Sequence, residues 1–153
     1  FETFPFPPDE TLRPGTPVDT IGERLYTTRA AFMVDTQQGL TTTYNLLKDP
    51  ACTAPRIVEL RRLHEEMDRA VLAAYGWDDI PVPAYGTPVT PAEKRALDVF
   101  EDEIIDRLFA INAERAEEER RAGAGAAKKP KGKTKGKAPA AQLGLLAAIE
   151  DDE

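Results

Sequence analysis

Residues 56–75 read RIVELRRLHEEMDRAVLAAY, twenty positions without a glycine or a proline. Ile57, Leu60, Leu63, Met67, Val71 and Ala74 recur at steps of three or four, the period that gathers them on one face of an α-helix. The opposite face carries Arg61/Glu65, Arg62/Glu66 and Glu65/Arg69, each four residues apart, where opposite charges meet across one helical turn. Gly76 stands where a left-handed residue closes a helix, and Trp77 follows where an apolar contact back onto the last turn is common. A helix of this kind draws its stability from burying its apolar face, so the fold is set by what packs against it.

Working outward, the partners read as helices too. Upstream, Thr16-Pro17-Val18-Asp19 is a helix start, with threonine as cap and proline in the first helical position. Ile21, Leu25 and Phe32, with Thr28 and Met33 beside them, continue the stripe until Gln37-Gln38-Gly39. Residues 40–47, LTTTYNLL, are ambiguous because threonine favours extended structure, yet Leu40, Tyr44 and Leu47 share a helical face. A short helix stopped by Asp49-Pro50 is expected there. Downstream, proline and glycine between Ile80 and Pro88 make a loop. Thr90-Pro91-Ala92-Glu93 then has the spacing of a capping box. The stripe that follows is Leu97, Phe100, Ile104, Leu108 and Ile111, widened by Ile105 and Phe109. After Asn112 the apolar face gives way to AERAEEERRAG, a fraying, solvated end.

The expected fold is therefore mainly α: a small antiparallel bundle of three to four helices over residues 16–122. An extended N-terminal arm, residues 1–15, leads into it. Residues 123–153 are expected to form a disordered lysine-rich tail, since GAGAAKKPKGKTKGKAPAAQ has no apolar side chain larger than alanine. The tail carries a short apolar segment, Leu143-Gly144-Leu145-Leu146-Ala147-Ala148-Ile149.

Composition narrows the function classes. The chain has 153 residues, 41% hydrophobic and 31% charged, with a formal net charge of −7. The charge is uneven. Residues 123–153 hold six lysines and four acids, which leaves 14 basic and 23 acidic residues, net −9, in residues 1–122. A body this acidic is a poor match for a phosphate backbone, so nucleic-acid contact has to come from a local patch or from the lysine tail. The single Cys52 allows no internal disulfide and fits a reducing cytoplasm. No apolar run approaches the length of a membrane span, so no membrane partner is expected.

The chemistry-bearing residues are few. His64 and Cys52 are each the sole example of their type, too few for a histidine–cysteine metal cluster. The chain contains no serine, so a Ser-His-Asp triad cannot form. His64 reads as a half-exposed member of a charged helix face. Glu65-Glu66, Asp78-Asp79 and Glu101-Asp102-Glu103 are paired carboxylates, but nothing local separates their pKa values as acid–base work requires. Gly123 and Gly125 lead into lysines and not into a helix, so they make no phosphate cradle. Phe6-Pro7-Pro8-Asp9 carries a proline pair in the reverse order of an amine methyltransferase motif and is a decoy. No catalytic, cofactor-binding or metal-binding residue is expected in the chain.

Several stretches, in order, resemble the C-terminal end of large adenine-specific DNA methyltransferases of the type IIG/IIL restriction–modification class. FETFPFP (1–7) is similar to the segment closing their target-recognition region. GLTTTYNLLKDP (39–50) resembles their Gly-Leu-Thr-x-Thr-Tyr-Asn segment. IVELRRLHEEMDRAVLAAYGWDDI (57–80) resembles a Leu-Arg-x-Leu-His-x-x-Met-Asp-x-Ala-Val helix ending in Tyr-Gly-Trp. RLFAINAERAEEERRAG (107–123) resembles the last helix of the family. The resemblance implies a parent that transfers a methyl group from S-adenosylmethionine to adenine N6 in duplex DNA, flipping the base from the stack. The cofactor-binding glycines and the catalytic proline pair of such enzymes lie upstream of the matched region, so none is carried onto this chain. Its partners would be the upstream methyltransferase and target-recognition domains of the same polypeptide, and DNA through that parent, in the cytoplasm. On this reading the phenylalanines of the arm belong to the core of the preceding domain. Tyr44, Asn45, Arg61, Arg62 and Trp77 are the candidates for DNA-backbone or interdomain contact. The alternative is a free-standing helical module that binds another protein through an apolar face.

Overall fold

The computed structural model describes residues 4–126 and contains four α-helices over them. A short 3-10 turn, Asp9–Leu12, precedes α1 (Pro17–Thr36), α2 (Leu40–Lys48), α3 (Pro55–Tyr75) and α4 (Pro91–Ala126). The mainly helical fold expected from periodicity is what forms. The expected tail, apart from its first four residues, lies outside the described residues, as does Phe1.

The helix ends follow local chemistry. Thr16 caps α1 by accepting from the Asp19 backbone, and the Asp19 carboxylate accepts in turn from Gly15 N at 2.8 Å. At the other end the left-handed residue is Gln37, φ 53°, and not Gly39, which starts α2 from extended geometry. LTTTYNLL is indeed helical. Thr43 settles the ambiguity by turning its hydroxyl back to Gly39 O at 3.0 Å, which lets a threonine sit fully buried. Gly76, φ 74°, closes α3 in a Schellman motif, with Gly76 N donating to Ala73 O and Trp77 N to Leu72 O, both at 2.9 Å. Trp77 then stacks on Tyr75 in the last turn, centroids 4.5 Å apart. Thr90 and Glu93 form the expected capping box, each accepting from the other's backbone N–H at 3.0 and 3.2 Å.

The core is built by three helices. Ile21, Leu25 and Phe32 of α1, Leu47 of α2, and Ile57, Leu60 and Leu63 of α3 form the buried cluster. Arg24 reaches Glu59 and Glu66, Arg56 reaches Asp35, and Gly22 faces Met67, so α1 and α3 run antiparallel. Leu72, outside the expected stripe, is buried as well.

α4 differs from the simple bundle in two ways. The 15-residue segment 76–90 carries the chain back along α3, with Tyr85 N donating to Glu65 at 3.0 Å and Thr87 N to Lys48 O at 3.0 Å. α4 therefore starts beside the middle of α3 and runs in the same direction. Over residues 91–122 it also buries no residue completely: Leu97, Phe100, Ile104, Leu108 and Ile111 are half-buried, while Ile105 and Phe109 face outward. The helix does not fray at Asn112 but continues to Ala126. Alanine, glutamate and arginine are strong helix formers, and the Glu117–Arg121 pair sits one turn apart. Such a segment needs no apolar face to remain helical next to an anchored helix.

Candidate functional site

The five residues singled out from sequence do not converge. Arg61 and Arg62 sit on the same stretch of α3, but they face different tasks. Arg61 lies under the C-terminal end of α2, where its Nε donates to Leu47 O at 2.8 Å and its terminal nitrogens to Cys52 O, Leu46 O and Asp49 O at 2.9, 3.0 and 2.6 Å. Four of the five guanidinium N–H groups are thus committed to backbone carbonyls. The expected Arg61/Glu65 pair does not form, because Glu65 is taken by Tyr85 N and by Arg69. Arg62 is held between Glu59 and Glu66, as its spacing suggested. The Arg62 hydrogen bond is the main cause that holds the Glu59 carboxyl below its ordinary pKa.

Tyr44 is half-buried, and its hydroxyl accepts from Arg29 at 2.9 Å. Its ring meets His64 edge-on at 5.8 Å. Asn45 is exposed on α2. Trp77 lies at the far end of α3, with the Arg107 guanidinium 5.7 Å from its ring. Arg107 also grips Asp79 through both carboxylate oxygens, at 2.8 and 2.5 Å, and Glu103 at 2.7 Å. The Asp79 contact ties α4 to the turn after α3, and it raises the Arg107 pKa and lowers that of Asp79.

His64 is not part of a charged face. Its ring stacks on Tyr85 at 4.3 Å, and its Nε2 is buried without a hydrogen-bond partner among the described residues. Burial first, and the Arg29 charge second, push the imidazole pKa down, so the ring is neutral at pH 7. One turn further on, Asp68 is half-buried, and burial followed by the neighbouring Glu65 charge pushes its carboxyl up. Tyr85 carried no signal in the sequence, and Asp68 stood out only as one position of the family-like helix motif: the loop brings the first, and α4 and the arm enclose the second.

The arm is the other feature that sequence left open. Pro5 and Pro7 are buried, whereas Phe4 and Phe6 are 53% and 61% exposed and meet edge-on at 4.9 Å. Phe6 N donates to Phe4 O at 2.9 Å, a tight turn about Pro5 that leaves both phenylalanines on one side, and the helices took the proline side. The Tyr75 hydroxyl donates to Pro5 O at 2.9 Å, and Arg115 donates to Phe6 O at 2.8 Å, so α3 and α4 both hold the arm. These pairings span 70 and 109 residues and leave no local trace in the sequence.

Besides a hollow of about 760 Å³ between residues 79–83 and α4, two further concavities border that helix. One of about 570 Å³ lies between α3, the 83–89 loop and the start of α4, lined by Arg61, Arg62, Glu65, Tyr85, Glu93 and Leu97 among others. A second, about 430 Å³, is an apolar groove between the arm, α3 and α4, with Phe4, Phe6, Trp77, Phe100, Ile104 and Leu108 on its walls. Among the described residues Asp68 is the only charged side chain lining it. Among the described residues no cluster of three or more histidine, cysteine, aspartate or glutamate side chains is placed to hold a metal ion. No helix among them is long and apolar enough to cross a membrane. No family model, no curated protein and no solved structure matches this chain.

Proposed function

We propose that the chain is the C-terminal helical part of an adenine-specific (N6) DNA methyltransferase of a restriction–modification system. On this reading it works in the cytoplasm and orients the preceding target-recognition domain on DNA, without performing the methyl transfer. S-adenosylmethionine and the reacting groups belong to the upstream part of the parent polypeptide, and DNA is reached through that parent. The ordered run of similar segments motivates the reading, and the anchoring of the arm supports it most directly. With Pro5 buried and the Pro5 and Phe6 carbonyls held by Tyr75 and Arg115, a domain joined through this arm would keep a fixed direction relative to α3 and α4. Orientation of this kind sets register on the duplex without reading bases.

The test uses the parent enzyme. Tyr75→Phe combined with Arg115→Ala removes both hydrogen bonds to the arm and is expected to lower site-specific N6 methylation about tenfold, with S-adenosylmethionine binding unchanged. The 153-residue chain alone should transfer no methyl group. Methyl transfer by that chain, or a genomic reading frame upstream of Phe1 without the cofactor and proline-pair motifs, overturns the proposal and leaves the free-standing interaction module.

A further inference from the structure

The apolar groove has a candidate occupant in the same chain. Its walls are Phe4, Phe6, Trp77, Phe100, Ile104 and Leu108, all at least partly exposed, so the groove is open to an apolar ligand. A volume near 430 Å³ falls in the range of small binding clefts. The one strongly apolar stretch beyond α4 is residues 143–149, LGLLAAI. Wound as a helix, Leu143, Leu145, Leu146 and Ile149 would fall within an arc of about 160°, the pattern of a helix laid into a groove.

Length and charge both permit the return. The 16 residues from 127 to 142 span at most about 54 Å when extended. The way back along α4 from Ala126 to Leu108 is only about 27 Å of helix. The intervening residues hold Lys128, Lys129, Lys131, Lys133, Lys135 and Lys137. The part of α4 they would pass, residues 101–121, carries eight acids against four arginines. Arg107 and Arg121 pair with Glu103 and Glu117, while Arg115 and Arg120 donate to neutral carbonyls, so eight acids less four arginines leave this stretch a net charge of −4. A lysine-rich connection therefore has an acidic track to follow.

We propose that residues 143–149 dock in the groove between the arm, α3 and α4, with the lysine-rich connection lying along the acidic side of α4. The segment is a built-in ligand of the groove, in competition with any outside apolar peptide. The inference stands independently of the methyltransferase reading.

Trp77 is the only tryptophan in the chain and lines the groove, so its fluorescence reports the docking. In the full 153-residue chain, Leu145→Asp with Leu146→Asp is expected to make Trp77 about threefold more accessible to acrylamide, because a tethered ligand at millimolar effective concentration is lost. A peptide of residues 141–151 added to that variant should restore the protection. Circular dichroism checks that α1 to α4 persist in the variant. Equal quenching of the parent chain and the variant means the groove is empty or serves another protein, and overturns the proposal. Protection that rises with protein concentration, together with a dimer in sedimentation, assigns the groove to a second copy and overturns it as well.

Discussion

Replacing Arg61 by alanine separates an architectural arginine from a phosphate-binding one. α2 has nine residues, too short to be helical alone, and its last carbonyls need partners. Arg61 supplies four hydrogen bonds to the carbonyls of Leu46, Leu47, Asp49 and Cys52. A hydrogen bond from a charged donor contributes about 1.5–3 kcal/mol net, and the four are not additive because water can reach part of this site once the side chain is gone. The positive charge at the C-terminal end of α2 adds about 0.3–1 kcal/mol. A loss of about 2–4 kcal/mol follows, somewhat above that of a single hydrogen bond to a charged group. For a folded body of about 120 residues the unfolding entropy is about 0.25 kcal/mol/K, so Arg61→Ala should lower Tm by about 8–16 °C. Arg61→Lys should recover less than half of this, since an ammonium has three donors and no planar fork. Differential scanning calorimetry at pH 7 gives the answer directly. A Tm within about 2 °C of the parent chain would refute the clamp. If the same variant then reduced the salt dependence of DNA binding by about one counterion, the residue would be a phosphate contact instead.

Three further outcomes are expected. His64 has a folded pKa below its ordinary value, so the neutral ring contributes stability that is present above pH 6.5 and is lost as pH falls through the folded pKa. Chemical denaturation between pH 7 and 5 should show this loss, at no more than about 1.4 kcal/mol per pH unit, and His64→Gln should remove that part of the slope. Asp68 has the opposite sign: its raised folded pKa favours the protonated form, which is fully present below the unfolded pKa and disfavoured as pH rises through the folded one. Asp68→Asn should therefore raise Tm at pH 7, with the gain over the parent shrinking as the pH approaches 3; equal Tm values at pH 7 would count against the burial argument. Gly22→Ala should stabilise α1 by up to about 1 kcal/mol from helix propensity. The new Cβ meets only the terminal methyl of Met67, at 3.3 Å, and that side chain can move; a lower Tm would show that it cannot.

Much of the helical framework was legible in the order of residues because its causes are local. Threonine caps, first-turn prolines, the Gly76 closure and the three-to-four spacing of Ile57, Leu60 and Leu63 act within a turn or two, where sequence separation and spatial separation nearly coincide. The partnership of Arg61 was not legible, because a glutamate four residues on is a plausible partner until α2 folds over and offers carbonyls. His64 looked like surface for the same reason: the rings that cover it come from Tyr44 on α2 and from Tyr85 in the loop. The length of α4 was underestimated because its final turns have helix propensity without an apolar face, and periodicity alone detects only the face.

The arm shows where the division falls. The tight turn about Pro5, in which Phe6 N donates to Phe4 O, puts Phe4 and Phe6 on one side and Pro5 on the other, a consequence of local backbone geometry. Which side turns inward depends on the surface it meets. Tyr75 and Arg115, far away in the chain, fix that choice by holding the carbonyls of Pro5 and Phe6. Local periodicity determined the helices, and a local turn the two faces of the arm; only packing between distant segments decided which face was buried and left the phenylalanines on the rim of a groove.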